Sequence, residues 1–208
     1  MPNWLGVEVP PGLLASEVMP VDEGPIKLRC LILWDPEPGP AGSLPGLKDG
    51  LAAELREALM LLLIERAKRW CLTISPEPPL LVSEAELSAA ALGAEAVLIV
   101  RPTMARLGKS HAEDIRGDLA HGCGVIFGAT LGGGWYLLTM SPVRQDLLDA
   151  AGNGTDGTAG DLLAAATKGA DLEAGMLRAE RNLETLDDLA AARVDPMTPE
   201  DIAALIRI

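Results

Sequence analysis

Few side chains in this sequence are suited to chemistry. They are two histidines, His111 and His121, three cysteines, Cys30, Cys71 and Cys123, and two arginines, Arg101 and Arg106, just past an apolar run. His121 and Cys123 stand two apart in DLAHGCG. A cysteine beside a histidine is a nucleophile with its activating partner when the side chains meet, but residues two apart seldom converge. HxC is also too sparse to define a metal centre. His111, in HAED, lies beside Glu113 and Asp114. Adjacent carboxylates, there or at Asp187 and Asp188, diverge on a helix instead of facing each other across a cleft as an acid and a base must. The expectation is a structural or surface histidine in each case, with no catalytic, metal-binding or cofactor-binding residue. Neither GxGxxG nor GxxxxGK[ST] occurs as a strand-to-helix turn.

Arg101 and Arg106 are better placed. They follow AVLIV, Ala96–Val100, and the carboxyl ends of strands are where α/β sheets bind ligands. With Asp35 after an earlier apolar run, they mark the site of a rival reading, in which the chain is a binding domain or an enzyme for an anionic small molecule.

The elements that must position these residues are legible in part. IKLRCLILW, residues 26–34, reads as a central strand ending at Asp35 and Pro36. After a Pro/Gly loop, Leu47, Leu51, Leu55, Leu59, Leu62 and Leu63 recur at helical spacing. The LMLLLI stretch of that helix is apolar nearly all round and needs cover on more than one side. Residues 70–75 read as a second strand, closed by SPEPP. Ser83 with Glu86 is a capping box opening a short helix that Gly93 stops, and Ala96–Val100 is a third strand. The order predicts an α/β fold, with a mostly parallel or mixed sheet covered by helices and a C-terminal helical extension.

Around this core, residues 26–150, the sequence suggests three further regions. Residues 1–25 are a Pro-rich extended arm that Trp4, Leu5 and Val7 could anchor. AGNGTDGTAG, residues 151–160, is a flexible linker. Residues 161–208 are a helical tail, in which Leu172, Met176, Ala179, Leu183, Leu186 and Ala190 alternate spacings of four and three, the seam of a helix held against a partner. Thr198 before Pro199 caps a last short helix.

CGVIFGATLGGGWYLLTM, within the Gly-rich segment 122–140, carries no charge from Cys123 to Met140. In a helix Gly124, Gly128 and Gly132 would line one face and admit another backbone, in a subunit contact or a membrane. The three successive glycines at 132–134 weaken such a helix and favour a buried hairpin turning there, with Trp135 and Tyr136 packing across the strand pair.

Composition excludes some classes. Thirty Asp and Glu against seventeen Lys and Arg give a charge of −13, which repels nucleic acid. Aromatic residues are only 3%, so the core is aliphatic. Three separated cysteines argue against a disulfide framework and for small buried hydrophobes. Met1–Val9 is not a secretory leader, so the chain is cytoplasmic unless a targeting segment precedes this numbering.

The strand at 26–34, the long helix, TISPEPPLLVSEAEL and above all LGAEAVLIV, Leu92–Val100, resemble the α/β domains of bacterial envelope proteins of the TolB amino-terminal and curli-secretion lipoprotein type. The resemblance covers about 80 residues, lacks a lipobox cysteine and carries over no functional residue. It implies a non-catalytic assembly component of an envelope complex, periplasmic if an upstream signal is removed. Such a component would contact protein subunits, its own copies among them, or a membrane, through the Gly-rich segment and the helical tail.

Overall fold

A computed structural model of the chain describes residues 27–34, 44–152, 158–168 and 173–207. The Pro-rich arm, Asp35, Leu172 and residues 153–157 of the linker lie outside the described residues. Six strands and seven α-helices make up the regular structure of the described residues. They are β1 (Leu28–Leu33), α1 (Ala53–Cys71), β2 (Leu80–Val82), α2 (Leu87–Ala91), β3 (Ala96–Val100), α3 (Lys109–Ala120), β4 (Val125–Thr130), β5 (Trp135–Met140), α4 (Gln145–Ala151), α5 (Ala159–Thr167), β6 (Ala174–Glu180), α6 (Leu186–Val194) and α7 (Glu200–Ile206).

The strands form one mixed sheet in the order β2-β1-β3-β5-β4-β6. β1 pairs in parallel with β2 and β3, β4 pairs in parallel with β6, and β5 alone runs the other way, between β3 and β4. The continuous apolar runs of β1 and β3 follow from burial on both faces. Leu31, Leu33, Val97 and Ile99 face α2, α4 and α5, while Cys30, Ile32, Leu98 and Val100 face α1 and α3. The LMLLLI stretch is covered on more than one side, because Leu59, Met60, Leu63 and Ile64 form a third cluster with Leu189 of α6 and Ile202 of α7.

The α/β expectation holds, with several corrections within it. Residues 70–75 are not a strand, since α1 continues to Cys71, and the second strand is Leu80–Val82. The Ser83/Glu86 capping box is present, and Gly93 takes φ +74, the left-handed conformation that ends a helix at no steric cost for glycine.

The uncharged segment is the β4–β5 hairpin, and its glycines do not form a helical zipper. Gly128 lies within β4, and Gly132 belongs to the turn, where Gly133 adopts φ +88. Gly124 precedes β4, donating its N–H to the Glu173 carbonyl. β5 is buried along its length because it is interior to the sheet, which explains the absence of charge. Tyr136 packs across the pair as expected, its ring over Gly128 of β4. Strand alternation sends Trp135 into the α2/α4/α5 layer and Tyr136 into the α1/α3 layer. No helix among the described residues is long and apolar enough to cross a membrane.

The C-terminal helices are present as α5, α6 and α7, but residues 161–208 also hold a strand, β6, and belong to the same core. α5 packs Leu162 and Ala166 into the sheet's core, and β6 is a strand of the sheet itself. The supposed seam therefore falls on different elements. Met176 is exposed on the edge strand β6, Leu183 is buried in the loop after it, and Leu186 is exposed at the start of α6.

Candidate functional site

Five strands run in one direction, so their carboxyl ends gather along one edge of the sheet. From β1 the chain crosses to β2 on one side and then returns to β3 on the other. The ends of β1 and β3 thus flank a topological switch point, where crossover connections diverge and leave a crevice.

Arg101 is the first residue after β3, with its N–H bonded to the Tyr136 carbonyl at 2.9 Å. Its guanidinium carbon lies 4.5 Å from the centroid of the Trp135 ring, a cation–π contact that holds the plane of the fork. Glu84 Oε1, in the turn after β2, lies 4.0 Å from its Nη2. The side chain is 12% exposed. Burial lowers its pKa, while the carboxylates of Glu184 and Glu84 act in the opposite sense and favour the charge.

The segment after β6 completes this edge. Leu183 N–H donates to the Thr103 carbonyl at 2.9 Å, beside a bridge between Met104 and Asn182. Glu184 is fixed by two donors, the Thr103 hydroxyl at 3.0 Å and the Asn182 amide at 2.6 Å. The arrangement is a buried guanidinium on an aromatic shelf, with oriented carboxylates around it. A guanidinium so held can donate charge-assisted, paired hydrogen bonds to phosphate or carboxylate oxygens, and the carboxylates can accept from hydroxyls.

Of the sequence-predicted anion site, Arg101 occupies the switch point. Arg106 is instead taken up by Asp195, at 3.4 Å. Glu84, Thr103, Asn182 and Glu184 were not anticipated. Glu84 had been visible only as a neighbour of the capping box, and the others depend on β6 returning to this edge.

The remaining chemistry-bearing residues lie away from this edge or make local contacts. His111, at the start of α3, is 1% exposed. Its Nδ1 accepts from Gly108 N–H at 3.2 Å, which leaves the proton on Nε2, 3.4 Å from Glu180 Oε1. Burial and the Arg178 charge lower its pKa against the pull of Glu180 and Asp114, so the ring is neutral. His121 Nδ1 lies 2.6 Å from the Gly117 carbonyl. The Cys123 thiol is pushed up by burial and by the Asp118 and Glu173 carboxylates, the opposite of an activated nucleophile. Among the described residues no group of three His, Cys, Asp or Glu side chains is placed to hold a metal ion.

No family model matches the chain, and no curated protein matches it. Among solved structures it is similar to a "putative nucleotide-diphospho-sugar transferase" from Desulfovibrio desulfuricans G20. The TM-score is 0.65 at 14% identity, covering 88% of this chain and 94% of the other. At that identity the likeness is one of fold. It nevertheless overturns the expectation of a non-catalytic assembly component, because the likeness extends over nearly the whole length of a protein named as an enzyme. The supposed contact elements, meanwhile, are a core hairpin and part of the sheet.

Proposed function

We propose that the chain is an enzyme of the transferase type that receives a nucleotide-diphospho-sugar at the carboxyl edge of β1 and β3. The observation that carries the reading is the near-complete coverage of the Desulfovibrio fold in both directions, together with a buried guanidinium at the switch point. In transfer from such a donor, the bond between the anomeric carbon and the diphosphate oxygen breaks, and the leaving nucleoside diphosphate takes the electron pair. The acceptor oxygen bonds to carbon and gives up its proton to the departing diphosphate. Negative charge grows on the leaving group, and a guanidinium already desolvated and fixed by Trp135 stabilises that charge without reorganising. Glu84 and Glu184 are suited to accept hydrogen bonds from sugar hydroxyls.

The test is a thermal-shift panel of the full chain with UDP, GDP, ADP and CDP and their glucose or mannose conjugates, with and without magnesium. A ligand that binds the folded state selectively raises the melting temperature as its concentration passes Kd. One nucleotide class should do so, with the shift lost in Arg101→Gln and partly kept in Arg101→Lys. A flat response across the panel at millimolar ligand overturns the reading.

A further inference from the structure

A second site lies on the other side of the sheet. Arg101 stacks in the α2/α4/α5 layer, whereas Met104, three residues later, packs into the α1/α3 layer. Beside Met104 is an open cleft of about 300 Å³ between the last turns of α1 and the loop leading to α3. That volume is at the lower end of the range for small-molecule pockets.

Arg66, Arg69 and Trp70 line the cleft from α1, at spacings that put them on one helical face, and Met104, Leu107 and Lys109 line it from the loop and the start of α3. The Trp70 indole is locked as a wall by donating to the Gly108 carbonyl at 2.9 Å. Three cationic side chains thus line the cleft together with an indole and a thioether, in a protein whose formal charge is −13.

The carboxylates nearby are accounted for. Asp201 pairs with Arg66 at 2.9 Å, Glu113 with Lys109 at 3.0 Å, and Glu65 with Lys68 at 2.7 Å. Arg69 donates its Nε to the Glu65 carbonyl at 3.3 Å, and among the described residues no carboxylate lies within ion-pair distance of it. Its outer nitrogens are therefore available to an incoming anion, which would meet the unpaired Arg69 guanidinium beside the apolar surface.

We propose that this cleft binds a small molecule with a flat apolar body and one anionic group, an aryl or heteroaryl phosphate. The ring would lie against Trp70, Met104 and Leu107, and the anion would take paired hydrogen bonds from Arg69 with Arg66 and Lys109 adding field. Neither half of such a ligand suffices alone. A bare phosphate finds exposed cations screened by salt, and a bare ring finds a shallow floor.

The probe is phenyl phosphate, titrated into the full chain by calorimetry at low salt, with inorganic phosphate and phenol as partial ligands. Saturable one-to-one binding is expected, at least about tenfold tighter than either partial ligand. Arg69→Gln should weaken it about tenfold, consistent with loss of charge-assisted hydrogen bonds. Because Arg69 is exposed, the ligand-free melting temperature of that variant should not change, and Arg101→Gln should leave the binding intact. The proposal fails if no saturable heat appears, if Arg69→Gln binds like the parent, or if binding is lost in Arg101→Gln instead.

Discussion

Gly128 in β4 lies directly beneath the ring of Tyr136 in β5, so closely that a methyl group at position 128 would overlap the phenol. The absent side chain is what lets a buried tyrosine occupy an interior strand of this sheet. The Tyr136 hydroxyl then reaches the Arg178 carbonyl of β6 at 3.1 Å, tying β6 to the hairpin. Burial and the Glu180 carboxylate raise that phenol's pKa above its ordinary value, so it stays a donor at any ordinary pH.

Gly128→Ala should therefore cost about 1 to 3 kcal/mol, the usual range for overpacking a filled core. Urea unfolding monitored by circular dichroism measures it. A loss below about 0.5 kcal/mol would mean that the ring has room to move aside.

Stability should fall on mild acidification because of His111. Its folded pKa lies below the ordinary 6.5, so the unfolded chain binds the extra proton first. The contribution of the neutral ring is complete above about pH 6.5 and is lost progressively as pH falls toward the folded value. Arg178, Glu180 and Asp114 face the ring and set that value. Denaturation midpoints between pH 7.5 and 5 should decline in the parent chain and decline less in His111→Gln. Parallel curves would assign the acid sensitivity to other groups.

Thr185 opens α6 with a reciprocal cap. Its hydroxyl accepts from Asp188 N–H at 3.2 Å, and the Asp188 carboxylate accepts from Thr185 N–H at 3.0 Å. Thr185→Ala should lower stability by about 1 kcal/mol. Since this cap also follows Glu184, the variant should weaken nucleotide binding if that carboxylate contacts the ligand.

All three cysteines are expected to be slow toward a thiol-reactive disulfide. Cys30 and Cys71 are buried against each other, which pushes the Cys71 thiol up through its neighbour and through burial. Cys123 has its thiolate disfavoured by nearby carboxylates. Fast labelling of one thiol in the native protein would contradict this, whereas three should react in denaturant.

The sequence was readable where one element carried its own signal. β1 and β3 are apolar on both faces, the Ser83/Glu86 box is local, and three glycines in a row announce a turn. β2 escaped because an edge strand of three residues with Leu80 and Leu81 exposed has neither length nor alternation. β6 escaped for a related reason. As an edge strand it buries only Leu177 and Glu180, so chance spacing of its apolar residues with those of α6 imitated a helical seam. Arg101 was legible as a residue at a strand end. Its surroundings were not, because Glu184 meets Thr103 across 81 positions and only the path of β6 brings them together.

The lone antiparallel strand divides the order in which the sheet can assemble. β4 and β5 are joined by a short turn and can zip on a microsecond scale, whereas β1 must find β3 across the whole of α1, β2 and α2. The hairpin is then the template. One side of it offers β5 to β3 and the other offers β4 to β6, so the two halves of the sheet can each add to a hairpin that the chain makes locally.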